Sequence, residues 1–200
     1  MERIRWYLFE VSRLAAGLPA AQLEGIVARL LRLYDAGGQL LLLGNGGSAA
    51  TASHLVADFQ KILYIEGGKP FRVLACTDNV PLITAWANDT HYETVFAEQV
   101  RAFARPGDVV IAFSGSGNSP NVLAAVARAR AQGAYTIGFT GRTGGKLEAA
   151  VDECVVVPCD NMQRIEDCHM IMGHVVFWRM AERLRERSAA PAPAVAGVNR

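Results

Sequence analysis

The segment VVIAFSGSGNSP, residues 109–120, runs from five apolar residues into a loop of serine, glycine and asparagine, and it ends at a proline. The apolar run is typical of a strand buried on both faces, and Pro120 is typical of the first turn of a helix. A glycine-rich loop between a strand and a helix presents free backbone N–H groups to an anion, which is how α/β proteins hold phosphate. The segment therefore predicts a parallel α/β fold with an anion site at the carboxyl end of a strand.

A second segment, LLLLGNGGS at residues 40–48, repeats this design. Four leucines are followed by the loop Gly44–Ser48, and a helical pattern begins near Ser48. The carboxyl ends of parallel strands lie at one edge of a sheet, so the two loops together predict a binding cleft at that edge.

The remaining chain alternates between the two kinds of element. Strands are predicted at 39–43, 71–76, 109–113, 134–139 and 154–158, and helices at 3–16, 20–36, 48–63, 78–88, 91–103, 120–132, 146–150 and 161–187. This alternation predicts a parallel sheet with helices on both faces, a three-layer α-β-α sandwich. The two N-terminal helices and the long last helix exceed what one small sheet needs. We expect them to pack against other subunits; the alternative is that they only cover the sheet.

Composition bounds the class of protein. A chain of 200 residues, 51% of them hydrophobic, fits one domain, which we place at 1–187 with an N-terminal helical extension and a disordered Ala- and Pro-rich tail at 188–200. The net charge of +1 without a basic stripe argues against a nucleic-acid surface, and the apolar runs are far shorter than a membrane span. Mixed charge at the start gives no signal peptide, and four cysteines without a CxxC spacing favour a reducing, cytoplasmic location.

The loop at 114–119 is the sharper phosphate signal. Ser114, Ser116 and Ser119 supply hydroxyl donors, and the intervening glycines let the backbone approach a ligand closely. No lysine follows at the spacing of a nucleotide P-loop, and no GxGxxG is present. The alternative is an ordinary polar turn, but six consecutive residues drawn only from serine, glycine and asparagine favour a binding function.

Two predicted helices carry side chains that ligate metals or transfer protons. His54 and Asp58 lie four residues apart on one face of the third predicted helix. Glu166 and His174 lie eight residues apart, about two turns, on one face of the last helix, and His169 lies to the side of that face. Two histidines and two carboxylates suit a tetrahedral zinc-like ion or an acid–base couple. The alternative is a network of capping and ion-pair contacts.

Asn88 and Asp89 end another predicted helix. Asp89 is able to accept hydrogen bonds from sugar hydroxyls, while Asn88 is also suited to cap the helix. The two interpretations are compatible.

These motifs occur in a fixed order: GNGGSAA at 44–50, His54, Ala87–Asp89, SGSGNSPN at 114–121, Arg164–Glu166 and His174. Together they resemble the sugar isomerase (SIS) domain and, within it, the phosphoheptose isomerase (sedoheptulose-7-phosphate isomerase) family, over about residues 5–185. The resemblance implies a five-stranded parallel sheet flanked by helices and a homotetramer with active sites between subunits.

The resemblance also implies roles for individual residues. The phosphate of the sugar would be bound by Ser114, Gly115, Ser116 and Ser119. The sugar site would comprise Asn45, Gly46, Gly47, Ser48, His54, Asn88, Asp89 and Glu166. A divalent metal, with zinc expected, would be held by His54, Asp58, Glu166 and His174. Catalysis would fall to Asp58, Glu166 and His174.

Two positions depart from the family pattern. The family usually has glutamate where this chain has Asp58, and glutamine where it has Glu166. Asp58 is one methylene shorter, which reduces its reach, and Glu166 adds a negative charge. We hypothesise a more anionic metal site in which Glu166 compensates as ligand or base.

The implied reaction is the aldose–ketose isomerisation of sedoheptulose 7-phosphate to a heptose 7-phosphate for surface polysaccharides such as lipopolysaccharide. One alternative is a non-catalytic SIS tetramer that binds a protein partner such as the replication initiator. That relative lacks the carboxylate that follows the histidine, whereas this chain has ligand-capable side chains at all four positions, which favours an enzyme. Another alternative is an isomerase or sensor for a different phosphosugar.

Overall fold

The computed structural model describes residues 1–62 and 69–189. Residue 63 of the predicted third helix and residues 190–200 of the predicted tail lie outside the described residues. The strands are β1 (Gln39–Gly44), β2 (Arg72–Ala75), β3 (Val109–Ser114), β4 (Tyr135–Gly141) and β5 (Glu153–Val157). The helices are α1 (Glu2–Ala16), α2 (Ala20–Ala36), α3 (Gly47–Ala57), α4 (Val80–Asp89), α5 (Ala97–Phe103), α6 (Pro120–Ala131), α7 (Gly145–Ala150) and α8 (Met162–Ala189).

The five strands form one parallel sheet in the order β2-β1-β3-β4-β5. This confirms the predicted five-stranded α/β architecture. The chain moves from β1 outward to β2 and then returns to the other side of β1 as β3, so β1 and β3 flank the topological switch point. Gly44 pairs in register with Phe113, and the two glycine-rich loops therefore leave the sheet side by side, at the place where α/β sheets bind ligands.

The alternation of side chains along β1 divides the core into two layers. Leu40 and Leu42 are buried in one cluster, with apolar residues of α2, α3 and α8. Leu41 and Leu43 are buried in the other, with residues of α5, α6 and α7. Both faces of the sheet are covered, as the predicted three-layer sandwich requires.

Two predicted helices are interrupted. The predicted helix at 48–63 is α-helical only to Ala57 and continues as a π-helix over Asp58–Ile62. The predicted helix at 91–103 divides into a 3₁₀ turn at Tyr92–Thr94 and the helix α5. The Thr94 hydroxyl donates to the His91 carbonyl at 2.8 Å, a local side-chain bond that competes with helix formation.

The last helix, α8, ends at Ala189, two residues beyond the predicted Arg187. Among the described helices, no single one is both long and apolar enough to cross a membrane; α1 and α2 pass that test only as a pair bent by 65°.

Candidate active site

The serine-rich loop after β3, residues 114–119, is held in place by its own polar groups and by the start of α7. The Ser114 and Ser119 hydroxyls lie 3.3 Å apart at its two ends. The Asn118 side chain donates to the Ser116 carbonyl at 2.8 Å and accepts from the Lys146 N–H at 3.1 Å. These contacts hold the loop in one conformation, with hydroxyls and the amino end of α6 available to an anion.

Gly117 is required by this loop conformation. Its φ is +64°, and a Cβ at this position would lie 2.7 Å from the Gly144 carbonyl carbon. Only glycine combines this backbone conformation with such a close approach to another chain segment.

The first loop is tied to the second by a pair of amides. Asn45 donates to the Asn121 Oδ1 at 2.9 Å, and Asn121 donates back to the Asn45 Oδ1 at 2.8 Å. The Tyr92 hydroxyl also donates to the Asn45 Oδ1, at 3.0 Å. Asn121 is buried, so the pair fixes the Asn45 side chain at the switch point.

A cavity of about 340 Å³ lies between the two loops, and its lining comprises Asn45, Tyr92, Glu93, Ser119, Pro120 and Asn121. Its size is that of a small-molecule site. Asn121 and Tyr92 were not predicted as site residues. Their sequence positions carry no signal of this contact, because Asn45 is 76 positions from Asn121 and 47 from Tyr92.

The structure brings together three of the four predicted metal ligands. One donor atom from each of His54, Asp58 and His174 lies within 4.8 Å of the other two. The histidine Nε2 atoms are 2.9 Å apart, and each lies 3.5 Å from the Asp58 Oδ2. Two imidazoles and a carboxylate are the donor set of many zinc sites, so the cluster fits a divalent ion.

Close packing of two helices creates this cluster. His54 and Leu55 lie on α3, and Gly173 and His174 lie on α8. A Cβ at Gly173 would lie only 2.7 Å from the Leu55 Cδ1, so glycine lets the two helices approach each other. This close approach brings His54, which precedes Leu55, near His174, which follows Gly173.

Glu166 occupies a different place from the cluster. Its carboxylate lies against Gly47, the first residue of α3, where a Cβ would be 2.6 Å from the Oε1 atom. Within the described residues it is not a member of the three-residue donor group. The positive end of the α3 dipole favours a carboxylate at this position, which is beside the sugar-site loop.

His169 is separate from both. It is fully buried, and its Nε2 lies 3.2 Å from the Thr140 carbonyl, to which it donates. Its Nδ1 has no hydrogen-bond partner within the described part of the chain. Burial lowers its pKa to about 4, which keeps the ring neutral. His169 therefore belongs to the core beneath the site.

The remaining predicted sugar-site residues lie at the ends of α3 and α4. Ser48 is buried and its N–H donates to the Asn45 carbonyl at 3.0 Å, while Gly46 has a φ of +56°. Asn88 and Asp89 are exposed, and the Asn88 side chain donates to the Asp89 Oδ1 at 2.8 Å. Helix α4 ends at Asp89 with Thr90 as its cap, so the alternative interpretation of Asn88 as the cap is wrong by two residues.

A parallel sheet with a serine-rich loop at its switch point, together with a His–Asp–His cluster on α3 and α8, defines the class of α/β proteins that bind ligands at the carboxyl ends of their strands. The sequence model of the SIS domain family matches residues 7–141. A phosphoheptose isomerase of Roseiflexus sp. (strain RS-1) is 43% identical over 179 residues, covering 86% of this chain and 90% of that protein. A probable phosphoheptose isomerase of Thermoplasma acidophilum is 40% identical, covering 88% and 97%.

A solved structure shows the same relationship. The phosphoheptose isomerase of Neisseria gonorrhoeae superposes with a TM-score of 0.84 at 32% identity, covering 90% of this chain and 98% of that one. The chain belongs to the SIS domain family and, within it, to the phosphoheptose isomerases.

Proposed function

We propose that the protein isomerises sedoheptulose 7-phosphate to a heptose 7-phosphate with the help of a divalent metal. The observation that carries the proposal is the convergence of His54, Asp58 and His174 from α3 and α8, where α3 begins at the loop that leaves β1 next to the serine loop. The family membership supports the choice of substrate. The product would supply heptose for surface polysaccharides such as lipopolysaccharide.

The phosphate of the substrate would be bound by the loop after β3. Ser114, Ser116 and Ser119 would donate hydroxyl hydrogen bonds, and Gly115 would allow close approach of the backbone. The sugar would lie along the first loop, with Asn45 held ready by Asn121. The other groups that we assign to the sugar are Gly46, Gly47, Ser48, His54, Asn88, Asp89 and Glu166.

We assign the metal to His54, Asp58 and His174, with zinc as the expected ion. When bound, the metal would polarise the substrate carbonyl as a Lewis acid. The Nε2 of His174 is directed at His54 and Asp58, so we give this residue to the metal rather than to proton transfer.

Glu166 is the carboxylate that we assign to proton transfer. It lies beside Gly47, at the first loop, and it is outside the donor cluster. It would remove a proton from C1 of the ketose to form an enediol and return a proton to C2, while the hydroxyl proton at O1 passes to O2. The negative charge that departs from the family pattern thus supplies the base, and the shorter Asp58 serves as a ligand.

We propose a homo-oligomer, with a homotetramer and sites between subunits as the specific expectation. Helix α1 exposes Ile4, Trp6, Leu8 and Phe9 by 56–68%, and α8 exposes 57% of Trp178. Apolar side chains so concentrated on two helices are typical of an interface. We place the protein in the cytoplasm because all four cysteines are free thiols.

The test is an assay of the purified protein with sedoheptulose 7-phosphate, before and after treatment with a chelator. Turnover that is lost with the metal and restored by Zn²⁺ supports the proposal. No turnover with any ketose phosphate, together with stable binding of a protein partner, would overturn it.

A further inference from the structure

A cavity of about 560 Å³ opens at the other end of the sheet, away from the serine loop. Val109 and Tyr135, the first residues of β3 and β4, form part of its wall. Its charged lining residues are Arg29, Arg32, Arg130 and Asp152. Five residue steps of about 3.3 Å along β3 separate Val109 at this cavity from Ser114, a distance of roughly 16 Å.

Two of the guanidinium groups are held in place by neighbours. The Arg29 guanidinium carbon lies 3.9 Å from the centroid of the Tyr135 ring. Arg130 donates to the Ala150 carbonyl at 2.9 Å and has its Nε 3.6 Å from the Asp152 Oδ1. Guanidinium groups that are already ordered lose little entropy when they bind a ligand.

Asp152 is itself committed to the fold. Its Oδ2 accepts hydrogen bonds from the Thr136 N–H and hydroxyl, both at 2.8 Å. It is thus held as a fixed anchor for Arg130 and neutralises only part of the charge of the cavity.

The side chains at the cavity carry a positive charge after their neighbours are counted. Three arginines face Asp152 and the adjacent Glu153, which interacts with Arg29 and lies 3.5 Å from the Tyr135 hydroxyl, so one positive charge remains. The carboxyl ends of α2 and α6 lie at this cavity, through Ala36 and Gly133, and contribute about half a negative charge each. The net charge is therefore close to zero, and the affinity for an anion depends on the directed N–H donors of the arginines.

We propose that this cavity is a second anion site that binds a small phosphate-bearing metabolite, separately from the isomerase site. Guanidinium groups offer paired N–H donors that match phosphate oxygens, and the cavity volume is that of a small-molecule site. Helix α6 connects the two sites, since it begins at Pro120 after the serine loop and carries Arg130 in its last turn. The shared ligand chemistry is the phosphate group, whether it comes from pyrophosphate or from a nucleotide.

Calorimetric titration of the full chain with pyrophosphate tests the proposal. Because the serine loop also suits phosphate, the titrations use a Ser116→Ala/Ser119→Ala background. We expect one pyrophosphate per chain, with affinity weakened on the order of tenfold by Arg29→Gln and again by Arg130→Gln. Arg128→Gln is the matched control, since Arg128 is exposed on α6 and does not line the cavity.

Titrations with inorganic phosphate and with ADP identify the source of the phosphate group. Tighter binding of ADP than of pyrophosphate indicates a nucleotide, and equal binding indicates that the phosphates alone are recognised. Arg32→Gln, at an exposed position, provides a further variant if either of the others misfolds. No saturable binding, or binding that the cavity arginines leave unchanged, would overturn the proposal. Because the experiment measures the heat of binding and not turnover, a negative result would overturn the second anion site without bearing on the proposed isomerase activity.

Discussion

His54 and His174, 120 positions apart in the chain, bring their Nε2 atoms to 2.9 Å from each other. Two charged imidazolium rings would repel at this distance, while two neutral rings present lone pairs to a shared cation. The Asp58 carboxylate, 3.5 Å from both nitrogens, supplies the negative charge that such a cation requires. This arrangement supports the proposed assignment of the pair as two ligands of one ion.

Substitutions at the two carboxylates are expected to separate metal binding from proton transfer. Asp58→Asn removes a charged ligand and should weaken zinc binding by about 100-fold or more, while Asp58→Glu, which restores the residue usual in the family, should retain the metal. Glu166→Gln should keep its zinc and lose on the order of 10²- to 10⁴-fold in kcat. Metal analysis and steady-state kinetics of the three variants check this; loss of zinc in Glu166→Gln would make Glu166 a ligand.

Gly47→Ala should impair catalysis without unfolding the protein. The new Cβ would displace the Glu166 carboxylate, which is the flexible end of a side chain and is free to move away. A displacement on the scale of 1 Å costs on the order of 100-fold in rate, while alanine stabilises a helix relative to glycine. The kcat of the Gly47→Ala variant should therefore fall, while its melting temperature should stay at that of the parent protein.

A double variant identifies the route of this effect. If Gly47 acts through Glu166, Gly47→Ala in the Glu166→Gln background adds little further loss. Additive losses would show that Gly47 acts on the substrate by itself.

Ser119→Ala is expected to weaken substrate binding more than turnover. A hydroxyl that donates to a phosphate dianion contributes roughly 1.5–3 kcal/mol, or about ten- to a hundredfold in affinity, equally in the ground and transition states. KM for the phosphosugar should rise by that factor with kcat nearly unchanged. An unaltered KM would remove Ser119 from the phosphate site.

His169 should make the folded state less stable in acid. Burial places its pKa at about 4, below the ordinary value of 6.5, so between these values the unfolded chain binds a proton that the folded chain does not. As the pH falls from 6.5 to 4, the free energy of unfolding should decrease by about 1.4 kcal/mol per pH unit, about 3 kcal/mol in all. The stabilising contribution of the neutral His169 ring is fully present above pH 6.5.

Urea denaturation with a chelator present, from pH 7.5 to 4, measures this dependence. The His169→Gln variant should show a shallower decline than the parent chain, because glutamine does not titrate. Parallel curves for the two proteins would exclude His169 as the source.

Strands β1 and β3 at the centre of the sheet were predictable from the sequence because they are short apolar runs followed by glycine-rich loops. Leu40–Leu43 and Val109–Phe113 are buried on both faces, and such runs carry their signal locally. The π-helix that begins at Asp58 and the division of the helix at 91–103 depend on local and tertiary contacts that periodicity does not report.

The candidate site was predictable to the extent that its residue types are local motifs. The order of the motifs indicated the serine loop and four ligand positions, and the structure brings three of these, His54, Asp58 and His174, together. The placement of Glu166 against Gly47 and the amide pair of Asn45 with Asn121 arise only when α8 and the two loops pack together. Pairings between distant segments have no signature in a single sequence.

The most direct test of the metal-dependent isomerase is NMR of sedoheptulose 7-phosphate incubated with the protein in D₂O. Proton transfer through an enediol predicts a heptose 7-phosphate with solvent deuterium at C2, no product after chelation, and recovery with added Zn²⁺. Product formation that continues at full rate in the metal-free protein, or no product from the zinc-loaded protein, would contradict the assignment of His54, Asp58 and His174 to a catalytic metal.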